Sequence, residues 1–139
     1  MSPERILVDT GPLVAILRPD DVNHTRCADQ AQALAYPFFT SWPVLTEAAW
    51  LLQRTPNGVS KLLEQVERGL VRPLDLDAGA VPWIRTFVEK YRDLGAQLAD
   101  ASLCYLGERE HIDVVFTLDR RDFSVYRTRQ NQPYRLLPA

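Results

Sequence analysis

The chain has 139 residues, enough for one domain with a sizeable core. Hydrophobic residues make up 46%, ordinary for a globular protein, and no apolar run is long enough to span a membrane. The net charge of −2 argues against a uniformly basic surface that would bind nucleic acid by charge alone.

Met1-Ser-Pro-Glu-Arg5 lacks a basic region followed by an apolar signal core, so a cytoplasmic location is expected. Cys27 and Cys104 form no Cys-x-x-Cys and read as small buried thiols. Arg5–Asp9 reads as a short buried strand. Thr10-Gly11-Pro12 then turns the chain into a helix ending near Arg18, with Pro12 tolerated in the first turn. Asp20 or Asp21 can cap a second helix running to about Ala35. Pro37–Thr40 is strand-like, and Ser41 can cap a helix that carries Glu47 and ends near Thr55-Pro56. Asn57 can start another helix, closed by Gly69, and Leu70–Leu74 is a short strand candidate.

Asp77 can cap a helix whose apolar stripe is Trp83, Ile84, Phe87, Val88, Tyr91 and Leu94, broken by Gly95. The next helix covers roughly Gln97 to Glu110 and is apolar on several sides, which predicts burial on more than one face. Asp113–Thr117 is a strand without alternation, as expected inside a parallel sheet, and Tyr134–Leu137 is a weak last strand. Strands alternating with helices imply a single α/β domain over residues 1–139 with a mostly parallel sheet and right-handed crossovers.

Four carboxylates interrupt this pattern. Asp9 ends the run Ile6-Leu7-Val8, and Asp119 follows Val114-Val115-Phe116-Thr117-Leu118. Glu47 is the only charge in Trp42–Leu52, and Asp100 the only charge in Leu98–Leu106. Each alone has an ordinary alternative. Asp9 could cap a helix beginning at Gly11, Glu47 could pair with a buried Arg, Asp100 could be a helix N-terminal acid, and Asp119 could be a turn residue. Asp9 and Asp119, however, both fall at the carboxyl ends of strands, the edge where open α/β sheets place their functional crevice. Acids gathered there repel one another unless a cation joins them. An all-carboxylate site suits a hard divalent cation such as Mg2+ or Mn2+; zinc would want His or Cys, and neither His24 nor His111 has ligand-like spacing.

Beyond Leu118 come Arg120, Arg121, Arg127, Arg129 and Arg135 against only Asp119 and Asp122. This basic end could suit a phosphate backbone, though any single arginine is as readily a solvated surface residue. Arg120 and Arg121 are the candidates for contacting such phosphates.

Val8-Asp9-Thr10-Gly11-Pro12-Leu13-Val14-Ala15, then Thr46-Glu47, then Leu98-Ala99-Asp100-Ala101-Ser102-Leu103, then Phe116-Thr117-Leu118-Asp119-Arg120-Arg121-Asp122-Phe123 resemble the successive motifs of a PIN domain, and more narrowly those of VapC-type toxins. The resemblance implies a three-layer α/β/α sandwich and Mg2+- or Mn2+-dependent cleavage of RNA. It makes Asp9, Glu47, Asp100 and Asp119 the catalytic acids, with Asp9, Asp100 and Asp119 holding the metal. Thr117 matches a hydroxyl beside the metal, and Asp122 and Asp93 would be auxiliary. It further implies a homodimer and a small cognate antitoxin, with Trp50, Leu51, Leu52 and the Trp83–Tyr91 stripe as apolar surface for such contacts. Those residues could equally all be core.

Three other readings compete. A non-catalytic PIN-like module would bind RNA or protein without turnover, and a metal-dependent nuclease could act on DNA. A phosphoryl-accepting receiver domain fits poorly, because the first strand ends in a single Asp and no Lys follows Lys90.

Overall fold

The computed structural model describes residues 4–34 and 36–138. The first three residues of the N-terminal segment, and Ala35 where the second helix is expected to end, lie outside the described residues. Within them the chain runs β1 (Leu7–Val8), α1 (Thr10–Leu17), α2 (His24–Ala33), β2 (Phe38–Thr40), α3 (Trp42–Leu52), α4 (Gly58–Glu67), β3 (Val71–Pro73), α5 (Ala80–Lys90), a 3-10 turn (Arg92–Leu94), α6 (Leu98–Glu110), β4 (Val114–Phe116), α7 (Arg120–Phe123) and β5 (Arg135–Leu137).

The five strands form one sheet in the order β3-β2-β1-β4-β5, and every adjacent pair is parallel. The helices complete an α/β/α sandwich, as the alternation of elements predicts. The chain winds outward from β1 through β2 to β3, then returns to β4 on the other side of β1. The β1/β4 junction is therefore the topological switch point, where such sheets open a crevice beyond their carboxyl ends. Leu7 pairs with Val115 and Val8 with Phe116, and all four are fully buried. The unalternating apolar run of β4 thus lies between two layers. α6 is buried on several faces, as expected, from Ala99 to Gly107. Gly107 permits its close approach: a Cβ there would stand 2.8 Å from the Ile112 carbonyl and 3.3 Å from Leu7 Cδ1.

Several boundaries differ from the sequence expectation. α1 starts at Thr10 instead of Gly11, and Asp9 at its N-cap position makes no side-chain cap. α2 starts after Asn23; Asp21 instead accepts the Asn23 amide through Oδ1 at 2.8 Å. α3 stops at Leu52, before Thr55-Pro56. Asp77 sits before the N-cap Gly79 of α5 and accepts its amide at 2.9 Å, so it closes the preceding turn. α7 is absent from the expected elements because four residues carry no readable period.

Candidate active site

The β1/β4 ladder continues one residue beyond β1: the Asp9 amide donates to the Phe116 carbonyl at 2.9 Å. This carries Asp9 to the crevice as a buried residue, 6% exposed. Thr117, just past β4 and fully buried, donates its hydroxyl to Asp9 Oδ2 at 2.8 Å. Thr117 Oγ1 also accepts the Asp119 amide at 2.9 Å. Asp119 then caps α7, accepting the Asp122 amide at 3.2 Å. One hydroxyl therefore sets the positions of two acids.

Glu47 and Asp100 arrive on helices. Ser41 caps α3 by accepting the Val44 amide at 3.3 Å, with Pro43 tolerated in the first turn. Ser41 Oγ also lies 2.6 Å from Ser102 Oγ, inside α6. That buried contact ties the start of the Glu47 helix to the first turns of the Asp100 helix. Asp100 is in the first turn of α6, where the positive end of the helix dipole favours a carboxylate. Tyr126, a fully buried ring beyond α7, donates its hydroxyl to Asp100 Oδ2 at 2.9 Å.

Asp9, Glu47, Asp100, Asp119 and Asp122 line one pocket of about 500 Å3. Among the described residues that line it, none is Lys or Arg. The electrostatic consequence is large. Burial pushes the Asp9 carboxyl up to about 6, and the charges of Glu47 and Asp119 add to this against hydrogen bonds from Thr10 and Thr117. Asp100 is pushed up to about 7, by burial first and then by the charge of Asp9, while the Tyr126 hydrogen bond pulls the other way. Asp122 is also raised, by burial and by Asp119.

The donor set fits a divalent cation. Asp100, Asp119 and Asp122 each place an oxygen within 4.8 Å of the others. Asp122 Oδ1 is buried without a hydrogen-bond partner among the described residues, with Arg121 Nε 3.8 Å away. The Thr10 hydroxyl is buried in the pocket wall and equally unpartnered. Hard oxygen ligands carrying excess negative charge are what Mg2+ or Mn2+ requires.

Asp122 thus lies closer to the heart of the cluster than an auxiliary role suggests. Asp93 is in the exposed 3-10 turn and is not among the residues lining the pocket. Arg120 Nη1 donates to the Pro138 carbonyl at 2.6 Å, and Arg121 is exposed beside Asp122. Sequence reasoning missed Tyr126 and Ser102. Ser102 had a weak signal as the hydroxyl two residues after Asp100 on a buried helix; Tyr126 had none.

A family model described as the PIN domain matches residues 6–128. The chain is similar to ribonuclease VapC26 of Mycobacterium tuberculosis, 26% identical over 125 residues that cover 88% of this chain and 92% of that protein. Its fold matches the crystal structure of Mycobacterium tuberculosis VapC20, a toxin described as cleaving the sarcin-ricin loop, with a TM-score of 0.76 and 18% identity over 84% of this chain and 91% of that one. With strand order, acid placement and family match in agreement, the chain belongs to the PIN-domain family.

Proposed function

We propose that this protein is a Mg2+- or Mn2+-dependent endoribonuclease that serves as the toxin of a VapBC-type toxin–antitoxin pair. The observation that carries this reading is the convergence of five carboxylates on one pocket at the switch point of the sheet, with no Lys or Arg among its described lining residues. The similarity to VapC26 and VapC20 supports RNA as the substrate class and a small antitoxin as partner.

Asp100, Asp119 and Asp122 would hold a cation, with Asp9 completing the negative charge of the same pocket. When bound, the cation supplies positive charge that offsets the carboxylates, favours ionisation of a nearby water and neutralises the scissile phosphate. The protein's own groups do the positioning. Thr117 holds Asp9 and the Asp119 backbone in register, and Tyr126 fixes Asp100. Glu47, an exposed acid lining the pocket, would take the proton of an attacking water. The water oxygen bonds to phosphorus as the bond to the 3′ oxygen breaks, and that oxygen takes a proton from solvent. The products carry 5′-phosphate and 3′-hydroxyl ends.

A homodimer belongs to the same reading. Trp42, Trp50 and Leu98 are exposed in a groove that shares Glu47 and Gln97 with the acidic pocket. A partner covering that face would border the site directly. Leu52, Phe87 and Tyr91, by contrast, are buried within the chain.

The test is incubation of the protein and its Asp9→Asn variant with labelled RNA or single-stranded DNA of the same sequence, in Mn2+ or EDTA. RNA cut only by the wild type with Mn2+, leaving 5′-phosphates, supports the reading. Ends with a 2′,3′-cyclic phosphate would exclude hydrolysis by water. Cleavage of DNA alone would reassign the substrate, and absence of any turnover would leave a binding module.

A further inference from the structure

We propose that a second cavity, on the α5 flank, binds the single-stranded RNA substrate beyond its cut site, stacking a base against Trp83 and holding phosphates with Lys90, Arg127 and Arg129. This rests on RNA being the substrate.

The cavity encloses about 420 Å3 between α5 and the turn that precedes β5. Its floor is aromatic. Trp83 and Phe87, one turn apart on α5, stack with centroids 5.4 Å apart and planes 20° from parallel. Phe87 leans on Tyr91 at 4.7 Å. Phe87 and Tyr91 are buried, whereas Trp83 is only half-buried and keeps ring surface for a ligand. Lys90, a further turn along the same helix, lies 5.2 Å over the Tyr91 ring.

The opposite wall is a pinned turn. Thr128 Oγ1 accepts the amides of Gln130 at 3.3 Å and Gln132 at 3.2 Å, and Arg127 bridges Pro133. Arg127 Nη1 donates to the carbonyls of Ser124, Val125 and Tyr126, which fixes its guanidinium at the cavity rim. Arg129 and Lys90 pair with no acid among the described residues. The lining therefore holds three cations against one acid, Glu108, in a chain whose net charge is −2. The acidic pocket has the reverse composition, with no Lys or Arg among its described lining residues.

An aromatic floor under a cationic rim is the combination that holds single-stranded nucleic acid: bases stack on the rings, and phosphates meet the charges. Its position suits the same strand that enters the acidic pocket. Tyr126 packs its ring against Phe87 and Tyr91, each at 4.9 Å, while its hydroxyl holds Asp100. One buried tyrosine thus touches residues that line each of the two pockets, and the bound RNA strand would run from one to the other.

The experiment is fluorescence anisotropy of a 5′-labelled octa-adenylate in EDTA, where cutting is off, with tryptophan emission followed in parallel. The variants are Lys90→Glu/Arg129→Glu and Trp83→Leu, with Arg85→Glu as an exposed control on α5 and thermal melts to verify folding. We expect the double reversal to weaken binding about tenfold or more and to flatten the salt dependence by a slope of about 1.4, two phosphate contacts at ~0.7 each. Trp83→Leu should remove most of the emission quenching, and Arg85→Glu should do neither.

Equal affinity of wild type and double reversal overturns the proposal, as does quenching that survives Trp83→Leu. Displacement of the octa-adenylate by poly-glutamate at equal charge concentration would also overturn it, since the site would then read charge alone. The nuclease reading fails separately. Octa-adenylate binding that depends on Lys90 and Arg129, in a protein that cuts no RNA with Mn2+, leaves this site standing and removes the enzyme.

Discussion

The Thr117 hydroxyl donates to Asp9 across 2.8 Å, joining residues 108 positions apart in the chain. The same oxygen receives the Asp119 amide, so it is both a donor to one acid and an acceptor for the backbone of another. Thr117→Val keeps the shape and removes both bonds. Buried polar groups left unpaired cost about 1–3 kcal/mol each, so the variant should melt lower and bind Mn2+ at least about tenfold more weakly. Thr117→Ser should retain most of the affinity. A calorimetric Mn2+ titration checks this, and an unchanged affinity in Thr117→Val would remove the hydroxyl from the site.

Asp9 and Asp100 tie stability to pH. Their carboxyls are pushed up from 3.8 to about 6 and about 7, so the folded protein holds protons that the unfolded chain has released. Stability must then fall as pH rises from about 4, with the loss complete above the folded values. For Asp9 alone the shift corresponds to about 3 kcal/mol. The metal-free protein should therefore melt lower at pH 8 than at pH 5. Saturating Mg2+ should recover most of the difference at pH 8 and add little at pH 5. Melting temperatures that do not change over this range, with or without Mg2+, would contradict the crowding of charge in the pocket.

Asp9→Asn separates fold from function. It replaces a strained carboxylate by a neutral group that can still accept from Thr117, so the melting temperature at pH 8 should hold or rise. RNA cleavage should vanish, and Mn2+ binding should weaken sharply. A folded, fully active variant would reject the assignment of Asp9.

Asp122 and Asp93 offer a paired test of cluster membership. Asp122 has a buried oxygen without a partner beside Asp100 and Asp119, whereas Asp93 is exposed on the 3-10 turn. Asp122→Asn should weaken Mn2+ binding about tenfold or more, while Asp93→Asn should leave it unchanged. Identical isotherms for the two variants would remove Asp122 from the ligand set.

Tyr126→Phe keeps the ring packing with Phe87, Tyr91 and Phe123 and deletes only the hydroxyl at Asp100. That bond lowers the Asp100 pKa, so its loss should raise it further. The acid limb of the pH–rate profile should move to higher pH, with the fold intact by circular dichroism. A profile superimposable on the wild type would confine Tyr126 to packing.

The placement of the acids was readable because charge stands out within apolar runs. Asp9 and Asp119 follow strands, and strand ends in a parallel sheet share an edge whatever the order of the inner strands. The alternation of elements also fixed the fold class. Tyr126 was not readable, because its hydroxyl meets Asp100 only through a loop whose path follows from packing on Phe87 and Tyr91. The role of Thr117 had a cue in its motif, but its double bonding pattern depends on the β1/β4 register. α7 and the Arg127–Pro133 turn are short and aperiodic, and tertiary contacts decide them.

The place of β4 beside β1 has a consequence for the timing of synthesis. A growing chain that already holds Asp9, Glu47 and Asp100 still lacks the strand whose carbonyl anchors the Asp9 amide, the threonine that grips its side chain and the tyrosine that grips Asp100. Thr117 in turn donates its amide to Leu137, almost the last described residue. The acidic site therefore assembles only after β4, Tyr126 and β5 have been made, so its geometry belongs to the folded domain and to no shorter N-terminal piece of it.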